Sequence, residues 1–397
     1  MTTFVILGGG LAGAKAAEAL RGQGFEGDVV LVGAEAHHPY ERPPLSKDYL
    51  MGKAEQASLH PLSEDWYTEN RVDLRLGTNA TAIDRTTHEV VLDDDTRLPY
   101  DKLLLAPGAT PRRPAIPGAD TALYLRTIED SDRIRSSFIA GRRLVVIGAG
   151  WIGMEVTAAA RQAGVEVTVL EAAELPLLRV LGPELGQVFA DLHTANGVEF
   201  RYGVQVSELT DDGVLLADGT LVPADNVLMA IGVAPNTALA EAAGLEVDNG
   251  VVVDAALRTS DPDVFAAGDV ANAFHPLLGK HIRVEHWANA LNQPATAAAA
   301  MQGKEASYEE QPYFYTDQYD LGMEYVGYVE PGGYDRVVYR GDVAAREFIA
   351  FWLKDGKLLA GMNVNVWDVS EYIKALIGTR VDVDKITDPA VEPADWA

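Results

Sequence analysis

The chain has 397 residues, 48% hydrophobic and 23% charged, with a net charge of −27 and no cysteine. That length suits two or three domains of ordinary globular composition. The negative charge repels nucleic-acid phosphates, and a chain without thiols has no disulfide, thiolate metal site or thiol redox chemistry. No metal site is expected.

No run approaches the roughly 18 apolar residues of a membrane span, and no basic region precedes the first apolar stretch. A cytoplasmic protein with no membrane association is expected. The first element is the apolar run Phe4-Val5-Ile6-Leu7, followed by Gly8-Gly9-Gly10-Leu11-Ala12-Gly13 and an alanine-rich helical segment. Strand, G-x-G-x-x-G and helix together make the dinucleotide-binding fingerprint. Gly8 allows the tight turn, Gly10 lets the backbone approach a pyrophosphate, and Gly13 lets helix pack on strand. The helix N-terminus then offers N–H groups and partial positive charge to the phosphates. A second strand, Val29-Val30-Leu31-Val32, leads to Glu35, at the place of the ribose-binding acid. Val90-Val91-Leu92, the acidic turn Asp93-Asp94-Asp95 and a further strand read as a hairpin. Pro111, Pro114 and Pro117 mark a linker.

The pattern then repeats. Leu144-Val145-Val146-Ile147 leads into Gly148-Ala149-Gly150-Trp151-Ile152-Gly153, and Val167-Thr168-Val169-Leu170 ends at Glu171. Val198 to Gly203 resembles Val72 to Gly77, and Val214 to Val233 resembles Val90 to Ala109, down to Pro235 against Pro111. The offset between the copies shrinks along the chain, so the first carries extra residues around Tyr40 to Asp65. Two fingerprints imply two dinucleotides held at once, and electron transfer between them. The Glu171 carboxylate repels a 2′-phosphate, Glu174 adds to that, and no basic residue follows until Arg179, which favours NADH over NADPH.

Thr259 to Asp269 reads as a short strand ending in Gly-Asp that returns to the first domain. The fold class is α/β: two doubly wound Rossmann-like dinucleotide-binding domains with parallel sheets. Beyond residue 311 tyrosines crowd the chain. Strands are predicted at Arg336 to Tyr339, Glu347 to Leu353 and Lys357 to Gly361, and a helix at Val369 to Ile377, giving a C-terminal α+β domain. The expected boundaries are 1–108 with 235–310, 109–234, and 311–397.

Several longer runs are more specific than the glycines: Tyr40-Glu41-Arg42-Pro43-Pro44-Leu45-Ser46-Lys47, Leu125-Arg126-Thr127, Ala266-Ala267-Gly268-Asp269, Arg283 to Ala290, and Phe314 to Asp320. With them the chain resembles, essentially end to end, the FAD-dependent, NADH-linked ferredoxin reductases of oxygenase and cytochrome P450 systems. The resemblance implies FAD in the first domain and NADH in the second. Hydride passes to the flavin, and single electrons leave for a small iron–sulfur ferredoxin upstream of a cytochrome P450 or Rieske oxygenase. It implies Lys47 near flavin N5, with Glu155 facing it across the domain junction. Asp269 would bind the ribityl or pyrophosphate part of FAD, Arg126 would reach FAD from the linker, and Trp287 would pack near the isoalloxazine ring. Ala12 and Ala80 would touch FAD through backbone, and Arg42, Ile152 and Gly232 complete the cofactor set.

Plainer readings stand beside these. Lys47 and Arg126 also read as surface residues, Glu155 as a first-turn helix acid, Asp269 as an N-cap and Trp287 as core. His286 and the C-terminal tyrosines read as structural. Pro107 stands where the family usually has threonine and removes an N–H. Because bacterial ferredoxins are usually acidic, docking calls for a local basic patch drawn from arginines such as Arg112, Arg133, Arg142 and Arg179. Disulfide reductases that use a redox cysteine are excluded by composition. An NADH oxidase that delivers electrons to oxygen, and a slow NADH-binding redox sensor, remain as alternatives.

Overall fold

Apolar strands alternating with alanine-rich helices build a parallel sheet twice. The computed structural model describes residues 2–396, in two units. One comprises Met1–Arg42, Glu55–Thr110 and Val233–Pro312; the other comprises Pro43–Ala54, Pro111–Gly232 and Tyr313–Ala397.

In the first unit five strands lie in the order Val264–Ala266, Lys102–Leu105, Thr3–Leu7, Asp28–Val32, Val72–Arg75, every neighbour parallel. The segment ending in Gly268-Asp269 therefore does return: Val264 pairs with Leu103. Both faces of the sheet are covered, so its strands are near-continuous apolar runs. The helix Leu11–Gly22 buries Ala14, Ala16 and Ala17 and packs on the alanine-rich helix Trp287–Met301. The hairpin expected around the acidic turn forms, with Ala80–Asp84 added to Glu89–Leu92 and Arg97–Pro99.

The second unit repeats the plan with four parallel strands, in the order Glu199–Tyr202, Glu166–Glu171, Arg143–Ile147, Asn226–Met229. An antiparallel sheet of Val206–Thr210, Gly213–Leu216 and Leu221–Pro223 matches the hairpin of the first copy. The C-terminal strands run further than predicted: Arg336–Asp342, Glu347–Lys354 and Lys357–Val364 join Tyr313–Gln318 and Leu321–Gly327 in one antiparallel sheet, followed by the helix Ser370–Leu376. This sheet shares a core with the parallel one. Trp352, fully buried, packs in one cluster with Val146, Phe189 and Phe348. Its indole N–H donates to the Leu181 carbonyl at 3.2 Å, at the kink where Gly182 (φ +83°) and Pro183 interrupt the helical span Leu178–Ala195.

Segment 43–54 departs from the expected assignment, which put it with the first domain. Leu50 is fully buried in the core of the second unit. The Ser131 hydroxyl donates to the Leu45 carbonyl at 2.8 Å, and the Tyr49 hydroxyl to Asp132 at 3.0 Å. Among the described residues no helix is long and apolar enough to cross a membrane, and no cluster of three or more His, Asp or Glu is set to hold a metal.

His193, on the helix Leu178–Ala195, is fully buried, and burial pushes its pKa down from 6.5 to about 4. Between those values the unfolded chain binds a proton that the folded chain refuses, so stability rises with pH across the window and is lost as pH falls through it. Thermal melts across that window should show this slope, and His193→Gln should flatten it. Identical slopes in the two proteins would refute the assignment.

Candidate functional site

Four glycines are dictated by the fold itself. Gly8 has φ +129°, and a Cβ there would lie 2.0 Å from the Ala106 carbonyl oxygen; one on Gly13 would lie 2.0 Å from the Gly8 oxygen. In the second copy Gly148 has φ +101° and would meet the Ala230 oxygen at 2.5 Å, while Gly153 would meet the Gly148 oxygen at 2.2 Å. The middle glycines are different. Gly10 and Gly150 have ordinary extended backbone, and a Cβ on either would meet nothing within 4 Å. Nothing inside the protein requires glycine there, so the requirement comes from what approaches from outside. Each is the N-cap of a 12-residue helix, and no side chain caps either one. The first N–H groups of both helices thus face the open side of the turn, a donor set suited to a pyrophosphate.

The two acids are held differently. Glu35 Oε1 accepts from Arg42 Nη2 at 2.7 Å and Oε2 from the Tyr40 hydroxyl, which also accepts from Arg42 Nη1 at 3.0 Å. Burial works against the Arg42 charge, yet the Tyr40 and Glu35 oxygens hold its pKa above the usual value, and Asp269 adds to this. Glu171 instead accepts backbone N–H groups, Ala149 at 2.7 Å and Ala173 at 2.8 Å. In each glutamate one partner occupies each oxygen. A carboxylate has about four acceptor positions, so two remain for the hydroxyls of a ribose.

Around the first turn, Gly268 lies against Ala12: a Cβ on Gly268 would come within 3.2 Å of the Ala12 methyl. The Gly268 N–H donates to Gln293 at 2.8 Å, which fixes Asp269 beside the start of the fingerprint helix. Glu41, its carboxyl pushed upward by burial, meets the Trp287 indole N–H and feels Lys15. Ala80 opens its strand. Pro107 lies against Gly8, and its carbonyl accepts from Asn236 at 2.9 Å. Around the second turn, Ile152 and Ile231 are exposed apolar side chains, and Gly232, φ +92°, faces open space.

Lys47 and Arg126, which the resemblance connects with FAD, lie in the second unit with Glu155. Arg126 donates its N–H to Asp130, within the capping box of the helix Ile128–Ser137. Glu155 is no first-turn acid. It stands in the second turn of its helix, 4% exposed. Lys47 Nζ is 2.8 Å from Oε1, the Ser46 hydroxyl donates to Oε2 at 2.5 Å, and the Thr316 hydroxyl donates to Oε1 at 2.6 Å. The Lys47 ammonium also lies 5.5 Å from the centroid of the Tyr315 ring. Asp317, the next residue after Thr316, has its pKa raised by burial and by Glu155 and Asp48, against the pull of Lys47. Sequence reasoning gave no role to Ser46, Thr316 or Tyr40, although each lies in a run that carries the resemblance. Of the arginines considered for a basic patch, Arg142 and Arg143 are both engaged by Asp225.

The sequence profile described as pyridine nucleotide-disulphide oxidoreductase matches residues 2–301, and the one described as reductase C-terminal matches residues 313–395. The chain is 42% identical to the putidaredoxin reductase of Pseudomonas putida, over 96% of this chain and 92% of that one. It is 41% identical to the ferredoxin–NAD(+) reductase component of the anthranilate 1,2-dioxygenase system of Burkholderia cepacia, over 98% and 97%. A chain in the crystal structure of the covalent putidaredoxin reductase–putidaredoxin complex matches it with TM-score 0.94 and 40% identity, covering 100% of this chain and 98% of that one.

Substituting the middle glycines separates folding from binding. Gly10→Ala and Gly150→Ala should lower the stability of the ligand-free protein by no more than about 1 kcal/mol, the scale of a poorer N-cap with no clash. Each should weaken dinucleotide binding, measured by calorimetry, about tenfold or more, or at least ~1.4 kcal/mol. Gly13→Ala, which drives a Cβ into the Gly8 carbonyl, should instead lower the melting temperature.

Proposed function

Since the chain belongs to the pyridine nucleotide-disulphide oxidoreductase family and carries the reductase C-terminal domain, we propose that it is a flavoprotein reductase that passes electrons from NADH through FAD to a small iron–sulfur ferredoxin serving a cytochrome P450 or other oxygenase. We place this work in the cytoplasm, where the NADH pool is. The observation that carries the reading is the pair of open glycine turns, Gly10 and Gly150, each at an uncapped helix start, in a chain with no cysteine. Two dinucleotides and no thiol leave direct transfer between the cofactors.

The cofactors supply the redox chemistry when bound, hydride from nicotinamide to flavin and then single electrons outward. The chain binds, orients and tunes. Residues 1–108, apart from segment 43–54, and 235–310 would hold FAD, residues 109–234 would hold NADH, and residues 311–397 form the C-terminal domain. N–H groups at Leu11 to Gly13 and at Trp151 to Gly153 receive the two pyrophosphates. Glu35 and Glu171 use their remaining acceptor positions on the adenosine riboses. Arg42, fixed by Glu35 and Tyr40, adds a cation beside the first turn, and Asp269, Trp287 and Ala80 would complete the flavin's surroundings within the first unit. Ile152 and Gly232 bound the nicotinamide side. Lys47 would offer its ammonium to the negative charge of a reduced flavin, and Glu155 holds that ammonium in place.

The purified protein should be yellow, bleach with NADH, and reduce cytochrome c at a rate that rises with added ferredoxin. Oxygen uptake that ferredoxin leaves unchanged would favour an oxidase. NADH should reduce the flavin faster than NADPH does, and Glu171→Gln, by removing the charge that repels a 2′-phosphate, should narrow the ratio about tenfold. Faster reduction by NADPH in the parent protein would overturn the role of Glu171.

A further inference from the structure

Three buried polar side chains have no task in this reading. Thr316 and Gln318 are each 1% exposed and His193 is fully buried. They form one chain of hydrogen bonds. The Tyr319 hydroxyl lies 3.3 Å from His193 Nδ1, and His193 Nε2 lies 2.8 Å from Gln318 Oε1. Gln318 Nε2 lies 3.2 Å from the Thr316 hydroxyl, which lies 2.6 Å from Glu155 Oε1.

The direction of every proton follows from the last acceptor. A carboxylate paired with an ammonium only accepts, so Thr316 gives Glu155 its single proton. Gln318 must then turn its amide nitrogen to Thr316 and its carbonyl to His193. His193 therefore carries its proton on Nε2. Burial keeps the ring neutral, with its pKa near 4, so Nδ1 accepts from Tyr319. No member can turn round without setting two donors or two acceptors face to face in a buried site, and such a mismatch costs the full desolvation of a polar group. Bonds aligned in this way polarise one another toward the carboxylate.

The chain is held by a strand and by the helical segment that follows the kink at Gly182. Thr316 and Gln318 are two apart on the strand Tyr313–Gln318 and so share a face. His193 is anchored on the helix Leu178–Ala195. We propose that Thr316, oriented by Gln318 and His193, is a positioning residue for the Lys47–Glu155 pair, an inference that rests on the role given to that pair above. Thr316 fixes Glu155 Oε1 where Lys47 meets it, while Ser46 fixes Oε2. With both oxygens fixed the carboxylate cannot rotate, and the ammonium it holds points one way. Thr316 acts through Glu155 and by this route alone.

The test uses the FAD-loaded protein and the variants Thr316→Val, Thr316→Ser, Gln318→Met and Glu155→Gln, with melting temperatures as the folding check. Single-turnover bleaching by NADH should slow about tenfold or more in Thr316→Val, the scale of a hydrogen bond to a charged group. NADH affinity should stay within about twofold, and Thr316→Ser should recover the rate to within about twofold. In a Glu155→Gln background Thr316→Val should slow bleaching no further, because its effect passes through Glu155. A second readout is independent of turnover. The infrared carboxylate band of Glu155, isolated by difference against Glu155→Gln, should shift in Thr316→Val and, to a smaller extent, in Gln318→Met.

Wild-type bleaching in a folded Thr316→Val, a full further loss in the Glu155→Gln background, or an unmoved carboxylate band would each overturn the proposal. Should Thr316→Val not fold, Gln318→Met decides by the same criteria. If Glu155→Gln itself bleaches at the parent rate, it is the role given to the ion pair that fails. The infrared band then decides separately: a shift supports Thr316 as the group that holds Glu155, and no shift overturns it.

Discussion

A buried carboxylate must be matched by partners, and Glu155 imposes that condition on the whole second unit. An anion that is 4% exposed and left unpaired would cost several kcal/mol. The match here comes from two places far from it in sequence: Lys47 and Ser46 from an early segment and Thr316 from the C-terminal sheet. Those segments cannot meet unless residues 43–54 leave the stretch in which the chain order places them and the C-terminal sheet packs directly on the second parallel sheet. Both happen, with Leu50 and Trp352 in one core.

What could be read from the sequence follows from how local each constraint is. The glycine turns were legible because strand, turn and helix are adjacent and each Cβ clash lies within one βα unit or against the neighbouring strand. Gly13 against the Gly8 carbonyl needs only five residues of chain. The hairpin at Asp93 was legible from turn chemistry. The return of Val264 to the first sheet was legible because a short strand ending in Gly-Asp needs a parallel neighbour. Other features depend on distant partners. Nothing near Thr316 announces that its hydroxyl meets residue 155, and nothing near Leu45 announces Ser131. Strand ends in the C-terminal sheet ran past their predicted limits because pairing with a neighbour, rather than propensity, decides where a strand stops.

The duplicated turns have diverged where their ligands would differ. Both acids keep two acceptor positions open, but Glu35 is gripped by a guanidinium and a phenol, and Glu171 by two backbone N–H groups. The first arrangement places a permanent cation, Arg42, beside the turn, and a charge-assisted contact with phosphate is roughly twice as strong as a neutral one. The second turn has exposed apolar side chains, Ile152 and Ile231, in its surroundings. A cation suits a group held through many turnovers, whereas a neutral turn suits one that must leave after each.

An anion next to Lys47 looks at first like the wrong neighbour for a cation meant to meet negative charge. Yet the four-carbon stem of a lone lysine leaves its ammonium free to wander. Pairing with Glu155 fixes the ammonium in place. The ammonium has three donors and Glu155 engages it through one oxygen. The Tyr315 ring, its centroid 5.5 Å away, is a further partner for the ammonium, within cation–π range. Ser46 and Thr316 each donate to the carboxylate, so part of its negative charge is already answered before Lys47 is counted. The pair is therefore a cation with a tether whose own charge has been partly drawn off, and Thr316 is where the C-terminal sheet does the drawing.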